Sequence, residues 1–200
     1  MGFHTYPVDR ADALEDPSRY RYCSREELLA MLEPTADGVV ADLGSGTGFY
    51  ADDVAPFVDT LYAVDVQPAM HDRYREKDVP EAVEFVTAEI SSLPFDDGEL
   101  DGAYSTMTHH EYASPTAAAD AEGAEADDDA DGALAELARV LHPGGRLVTV
   151  DWSADGDSDA GPPLEERFDL ATATARLEAA GFEIEFASGR PETFAIVATR

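Results

Sequence analysis

Apolar positions along this chain fall into two rhythms. Short apolar runs at 39–43, 60–64, 82–87, 103–106, 146–151, 182–187 and 193–199 read as strands. Between them, apolar residues return every three or four positions over 26–33, 48–55, 68–75, 134–141 and 164–180, which is the helical period. The punctuation agrees. Ser24 followed by Glu27 fits a capping box ahead of Leu28, Leu29, Met31 and Leu32, and Pro34 stops that helix. Pro56 ends the second, Pro68 opens the third at the position where proline is tolerated, and Pro143-Gly144-Gly145 and Gly181 close the last two. Strands alternating with helices predict a doubly wound α/β sheet, because each crossover helix must cover a sheet face.

One stretch breaks the pattern. Residues 117–133 are built only of Ala, Asp, Glu and Gly. With little apolar bulk to bury and high charge, this stretch is expected to be disordered or a frayed helix. No internal repeat and no linker divides the chain, so its 200 residues are expected to form a single domain. Its parts are a helical segment over 1–37, a core over 38–151 that contains the 117–133 insert, and a C-terminal part over 152–200.

Charge sharpens the picture. There are 43 acidic and 13 basic residues, a formal net charge of -30, and Lys77 is the only lysine. At low salt such a surface repels itself, whereas about 1 M salt shortens the Debye length to about 3 Å. The acids are spread along the chain rather than gathered in one tail, so adaptation to a salty cytosol fits better than an acidic partner-binding face. Nucleic acid is not an expected partner. The local cationic groups are only Arg19, Arg21 and Arg25, and the pair Arg73 and Arg75. No apolar run approaches the roughly 18 residues of a membrane span, and the first residues carry no basic-then-apolar signal, so a cytoplasmic location and no membrane partner are expected. Cys23 is the only cysteine, which excludes an internal disulfide and a cysteine-only metal site. No metal is expected, and Cys23 reads as a small side chain ahead of a helix rather than a nucleophile.

Three motifs carry chemistry. In Val39-Val40-Ala41-Asp42-Leu43-Gly44-Ser45-Gly46-Thr47-Gly48 an apolar strand runs into a glycine loop that opens a helix. Glycines let the backbone take positive φ and approach a ligand closely, and the helix start offers free N–H groups. The spacing is G-x-G-x-G, not the dinucleotide G-x-G-x-x-G. Asp65, followed by Val66, ends the second strand about 20 residues beyond the loop, where an acid can accept both hydroxyls of a ribose. Asp65 alone does not separate NAD from S-adenosylmethionine. The third motif runs from Glu89-Ile90 through Leu93-Pro94-Phe95 to Asp101.

Together with Arg139-Val140-Leu141-His142-Pro143-Gly144-Gly145, these motifs in this order resemble the class I S-adenosylmethionine-dependent methyltransferases. More narrowly they look like the small-molecule branch that includes quinone-biosynthesis C-methyltransferases. The resemblance is dense over 39–151 and thinner beyond. It implies a Rossmann-like, doubly wound, seven-stranded sheet whose last strand is antiparallel, with S-adenosylmethionine as cofactor and a small molecule as methyl acceptor. Gly44, Ser45, Gly46 and Gly48 would then lie under the methionine moiety, with Asp42 near its amino group. Asp65 would hold the ribose with Val66 beside it, Glu89 would accept from the adenine amino group, and the Ile90 N–H would meet a ring nitrogen. Glu89 stands where the family usually has aspartate. The Asn/Asp-Pro-Pro-Tyr/Phe box of nucleobase amine methyltransferases is absent; Ser105-Thr106-Met107-Thr108-His109-His110-Glu111 stands in its place.

That fourth-strand exit supplies the catalytic candidates. His109 and His110 would lie at the carboxyl edge of the sheet, and a histidine suits proton removal near neutrality. Adjacent residues of an extended chain point to opposite faces, so at most one should reach the pocket, and His110 is favoured. Glu111 could orient the imidazole or act in its place. The 117–133 insert would hang near the pocket mouth, as a solvated loop rather than a lid. The rival readings are an NAD-type oxidoreductase, which the loop spacing and Leu93-Pro94-Phe95 disfavour, and a non-catalytic cofactor-binding domain.

Overall fold

The computed structural model describes residues 5–113, 128–157 and 159–200. The chain builds one seven-stranded sheet from β1 (Val39–Leu43), β2 (Thr60–Asp65), β3 (Val83–Thr87), β4 (Leu100–Thr106), β5 (Leu141–Trp152), β6 (Glu183–Gly189) and β7 (Thr193–Thr199). The order is β3-β2-β1-β4-β5-β7-β6. The first five strands are mutually parallel, and β7 runs antiparallel to both β5 and β6. This is the doubly wound sheet with an antiparallel last strand that the class I resemblance implies. Strand order reverses between β1 and β4, and in such sheets the crevice outside the carboxyl ends at that point receives the ligand.

The centre of the sheet is buried on both sides, while the edge strands β3 and β6 are half-buried to exposed, and alternate residues of the central strands sort between two cores. Ala41, Leu43, Ala103, Leu147, Phe194 and Ile196 face one side with Leu134, Leu137 and Leu177. Val40, Tyr104, Val148, Val150, Ala195 and Val197 face the other with Leu28, Leu32, Ala51 and Tyr74. Helices α1 (Arg25–Leu32), α2 (Ala51–Val54) and α3 (Pro68–Tyr74) supply the second core, and α5 (Asp128–Val140) and α6 (Leu170–Ala179) the first; α4 (His109–Tyr112) is a single turn at the exit of β4. Side chains on a strand alternate with period two, so one strand serves both layers. Among the described residues no helix is long and apolar enough to cross a membrane.

Several elements differ from the sequence pattern for identifiable reasons. Over 48–55 the helix shrinks to Ala51–Val54, because Gly48 sits at φ 81 inside the loop and Pro56 turns the rest into the 3-10 turn Ala55–Phe57. Over 164–180 the helix starts only at Leu170. Asp169 caps it by accepting from Thr172 N–H at 2.6 Å, while Phe168 turns into the core. Only half of the capping box forms: Ser24 Oγ accepts from Glu27 N–H at 3.2 Å, but the Glu27 carboxylate pairs with Arg190 at 2.6 Å instead of reaching back. Helix α5 begins at Asp128, inside the Ala/Asp/Glu/Gly stretch, whose residues 117–127 lie outside the described set, as does the question of a lid. Leu141 already pairs with Leu100 in the sheet, and the next four residues bulge out before Arg146 pairs with Gly102. Ahead of α1 the chain makes two 3-10 turns, Val8–Glu15 and Pro17–Arg21.

Candidate functional site

The glycine loop is built by contacts that leave no room for side chains. Gly44, Gly46 and Gly48 all take positive φ, at 76, 54 and 81. A Cβ on Gly44 would lie 2.3 Å from Thr108 Cγ2, and one on Gly48 would lie 2.1 Å from the Tyr74 ring. The loop therefore presses against the exit of β4 on one side and α3 on the other. Gly44 and Ser45 donate their N–H groups to Val64 O at 2.9 and 2.8 Å, which ties the loop to the end of β2. The N-terminal turns cross over it. Leu14 Cδ1 would come within 3.2 Å of a Cβ on Gly46, Glu15 accepts from Thr47 Oγ1 at 2.5 Å, and Lys77 bridges Glu15 at 3.1 Å and Asp52 at 2.7 Å.

Two acids flank the loop. Asp65 Oδ2 accepts from Gly46 N–H at 2.9 Å and Oδ1 from Gln67 N–H at 2.8 Å. Each carboxylate oxygen keeps a second lone pair, so a ribose can still be accepted there. Burial raises the Asp65 carboxyl, against the two backbone hydrogen bonds. Asp42 is buried opposite Tyr104 on the neighbouring strand. The Tyr104 hydroxyl is near enough to lower its carboxyl somewhat but makes no well-formed hydrogen bond, and Asp42 Oδ1 is left buried without a partner. Burial dominates and pushes Asp42 up to about 7. An orphaned carboxylate oxygen beside a glycine cradle fits the ammonium of the cofactor that the sequence implies. Val66, 38% exposed, and half-buried Ile90 offer apolar surface next to Asp65 and after β3, while Glu89 is exposed, its carbonyl accepting from Ser92 N–H at 3.0 Å.

The Leu93-Pro94-Phe95 motif has a structural task. Arg139 on α5 donates to Phe95 O at 2.9 Å and Leu93 O at 3.3 Å, and Glu136 accepts from Leu93 N–H at 2.8 Å while pairing with Arg139 at 2.7 Å. These two stretches, distant in sequence, form one clamp that seats the loop before β4.

At the exit of β4, Met107 is a non-glycine residue at φ 63, a costly conformation that turns the chain sharply. Thr108 then packs on Gly44, and α4 begins. Residues 109–112 are thus helical rather than extended, so the alternation argument does not apply, yet the two histidines still separate. His109 is 0% exposed among Tyr112, Phe168 and Phe194, with Nδ1 3.1 Å from Tyr112 Oη, and burial pushes it down to about 4. It is neutral and faces the core. His110 sits on Asp151 at the end of β5. Its backbone N–H donates to Oδ2 at 2.5 Å, and its Nδ1 is 3.0 Å from both carboxylate oxygens. Burial disfavours the charged ring, but the charge and hydrogen bond of Asp151 outweigh it and hold His110 above its usual value. The carboxyl of Asp151 is 0% exposed; burial opposes its charge, yet His110 keeps it below the usual range. An ionised carboxylate only accepts, so the proton sits on Nδ1 and Nε2 carries the lone pair. Asp151, not Glu111, orients the ring. Glu111 is half-buried, and burial, together with Asp151 and Asp65 and against His110, lifts it to about 8. Asp151 was not singled out in the sequence; its only signal was an acid ending an apolar strand, as Asp65 does. Burial lifts the Cys23 thiol to about 12, which suits packing and not nucleophilic attack.

Residues 41–149 match the family described as "Methyltransferase domain". Among curated proteins the chain is 29% identical over 163 residues to the O-methyltransferase cnsE of Penicillium expansum, covering 75% of this chain and 53% of that protein. It is 30% identical over 121 residues to the demethylmenaquinone methyltransferase of Clavibacter sepedonicus, covering 60% and 43%. The chain spans about half the length of these curated relatives. Among solved structures, a SAM dependent methyltransferase from Aquifex aeolicus matches with a TM-score of 0.81 and 26% identity over 97% of this chain and 98% of that one. The glycine loop, the orphaned Asp42 and the half-engaged Asp65 fit the S-adenosylmethionine that the sequence motifs imply. With the family match spanning more than half of its length and the sheet order in agreement, the chain belongs to the methyltransferase domain family, in the class I S-adenosylmethionine-dependent fold.

Proposed function

We propose that this protein transfers a methyl group from S-adenosylmethionine to an ionisable hydroxyl of a small molecule, with His110 as the base. The observation that carries the reading is the seating of His110 on Asp151 two residues after Thr108, which itself packs on Gly44 of the cofactor loop. A base at this place serves an acceptor that must lose a proton near the time of transfer. The relative named as an O-methyltransferase supports an oxygen acceptor.

When bound, S-adenosylmethionine supplies a methyl group on a sulfonium centre. The glycine loop, Asp42 and Asp65 would hold it, with Val66, Ile90 and Glu89 at the adenine end. Positioning supplies much of the rate. His110 Nε2 takes the proton of the hydroxyl, and Asp151 holds the imidazolium that results. Glu111, protonated at neutral pH because its carboxyl is raised to about 8, donates a hydrogen bond rather than competing as a base.

The test uses a panel of simple phenols and hydroxyquinones with wild type and His110→Gln in molar potassium chloride. Glutamine keeps hydrogen bonding but cannot take a proton. Turnover is expected to fall about 10²-fold or more, with S-adenosylhomocysteine affinity unchanged. Equal turnover in both proteins would remove His110 as base, and NAD binding without S-adenosylhomocysteine binding would remove the methyltransferase reading.

A further inference from the structure

His110 is carried by α4, a single turn of only four residues. One turn is too short to hold itself, so the surrounding packing must fix it. Asp151 grips it at His110. We propose that an internal water held by Ser105, Thr149 and Tyr112 grips it at its other end, which makes Tyr112 a positioning residue for His110; this rests on the reading of His110 as the base. Tyr112 closes the turn and lies in the first core, 8% exposed. Its Oη is 3.1 Å from Nδ1 of His109, a ring that burial keeps neutral.

Two strand hydroxyls lie beside that phenol. Ser105 on β4 and Thr149 on β5 are direct partners in the sheet, and both are 0% exposed. They alternate with Tyr104, Val148 and Val150 of the second core, so both point into the first core, where Tyr112 is. Burial raises the Tyr112 phenol and so does the charge of Asp151, while the Ser105 and Thr149 hydroxyls are near enough to lower it. Yet Ser105 Oγ and Thr149 Oγ1 are each buried with no hydrogen-bond partner. Native interiors rarely leave such groups unpaired. Three neutral hydroxyls offer donors and acceptors together, and a buried water makes about three hydrogen bonds to groups of this kind. A metal cation is a poor match, since the hydroxyls bring no charge and Asp151 is engaged by His110. The water ties Tyr112 to β4 and β5 at once, so the turn is fixed at both ends and His110 is held from two sides.

The test compares wild type, Ser105→Ala, the double variant Ser105→Ala/Thr149→Val and Tyr112→Phe in molar potassium chloride. Magnetic relaxation dispersion of the water oxygen nucleus counts long-lived internal waters and needs neither cofactor nor acceptor. The double variant is expected to lose one such water relative to wild type and to melt lower. In a dry interior, replacing unpaired hydroxyls by apolar groups would raise the melting temperature; such a rise, or an unchanged water count, would overturn the proposal. Ser105→Ala, the smaller change, gives the same readings should the double variant not fold. Tyr112→Phe keeps the ring and loses only the hydroxyl. With the phenol and hydroxyquinone panel, its kcat should fall about 10-fold at unchanged KM and S-adenosylhomocysteine affinity, because small misplacements of a reacting group are costly; an unchanged kcat would overturn the positioning role. Absence of turnover in wild type would overturn the base reading and the positioning role with it, whatever the water count.

Discussion

Replacing Asp42 by asparagine should make the cofactor-free protein more stable while weakening its hold on the cofactor. Burial, reinforced by Asp65 and only partly offset by Tyr104 and Arg19, lifts the Asp42 carboxyl from 3.8 to about 7. At about 1.36 kcal/mol per tenfold change in acidity, keeping it ionised costs the folded state about 4 kcal/mol. The sign follows from proton linkage. A carboxyl raised on folding binds a proton in the native state that the unfolded chain has released, so its stability contribution is lost as pH climbs toward 7. An amide at this position does not titrate, so Asp42→Asn removes that slope. The stability gap between variant and wild type should therefore widen by about 2 kcal/mol from pH 5.5 to pH 8, whatever the buried amide itself costs. Urea unfolding of both proteins at the two pH values, in molar potassium chloride and without cofactor, measures it. S-adenosylhomocysteine affinity should fall by about 1.5–3 kcal/mol, the range of a hydrogen bond to a charged group. A gap that stays constant or narrows with rising pH would refute the account of Asp42 as a buried, uncompensated acid awaiting an ammonium.

Three other outcomes are expected. Asp151→Asn should cut turnover at least about 10-fold and move the acidic limb of the pH–rate profile to lower pH, because Asp151 is what holds His110 above 6.5; an unmoved limb would show that His110 does not set it. Gly48→Ala should destabilise the fold by about 2–4 kcal/mol in thermal unfolding, combining the positive φ with overpacking against Tyr74, a ring that is buried and tied to Asp52 at 2.7 Å. The melting temperature should rise between 0.1 and 1 M potassium chloride, since the chain carries a net charge of -30; relief worth about 3 kcal/mol moves the midpoint by about 6–12 °C, and a flat response would show that the acids are not a salt adaptation.

The central strands were legible because both of their faces are buried, which forces continuous apolar runs; β1 and β7 match their sequence runs residue for residue. The helix ends were less legible because local tertiary demands override periodicity, as where Phe168 leaves the helical pattern to fill the core. The loop glycines and Asp65 announced themselves by spacing. His110 did so only as one of a pair, and what separates it from His109 is the four-residue turn α4, which depends on the positive φ of Met107. Asp151 was hidden by composition: in a chain with 43 acids, one more at a strand end carries little information. Its pairing with His110 depends on tertiary contact and leaves no periodic trace.

The most direct measurement is methyl transfer itself. The chain is incubated at pH 8 in molar potassium chloride with S-adenosylmethionine carrying a labelled methyl group and a panel of phenols and hydroxyquinones. The account predicts label in solvent-extractable small molecules, reduced about 10²-fold or more by His110→Gln at unchanged S-adenosylhomocysteine affinity. Tight S-adenosylhomocysteine binding with no label leaving the cofactor for any hydroxyl acceptor would contradict it.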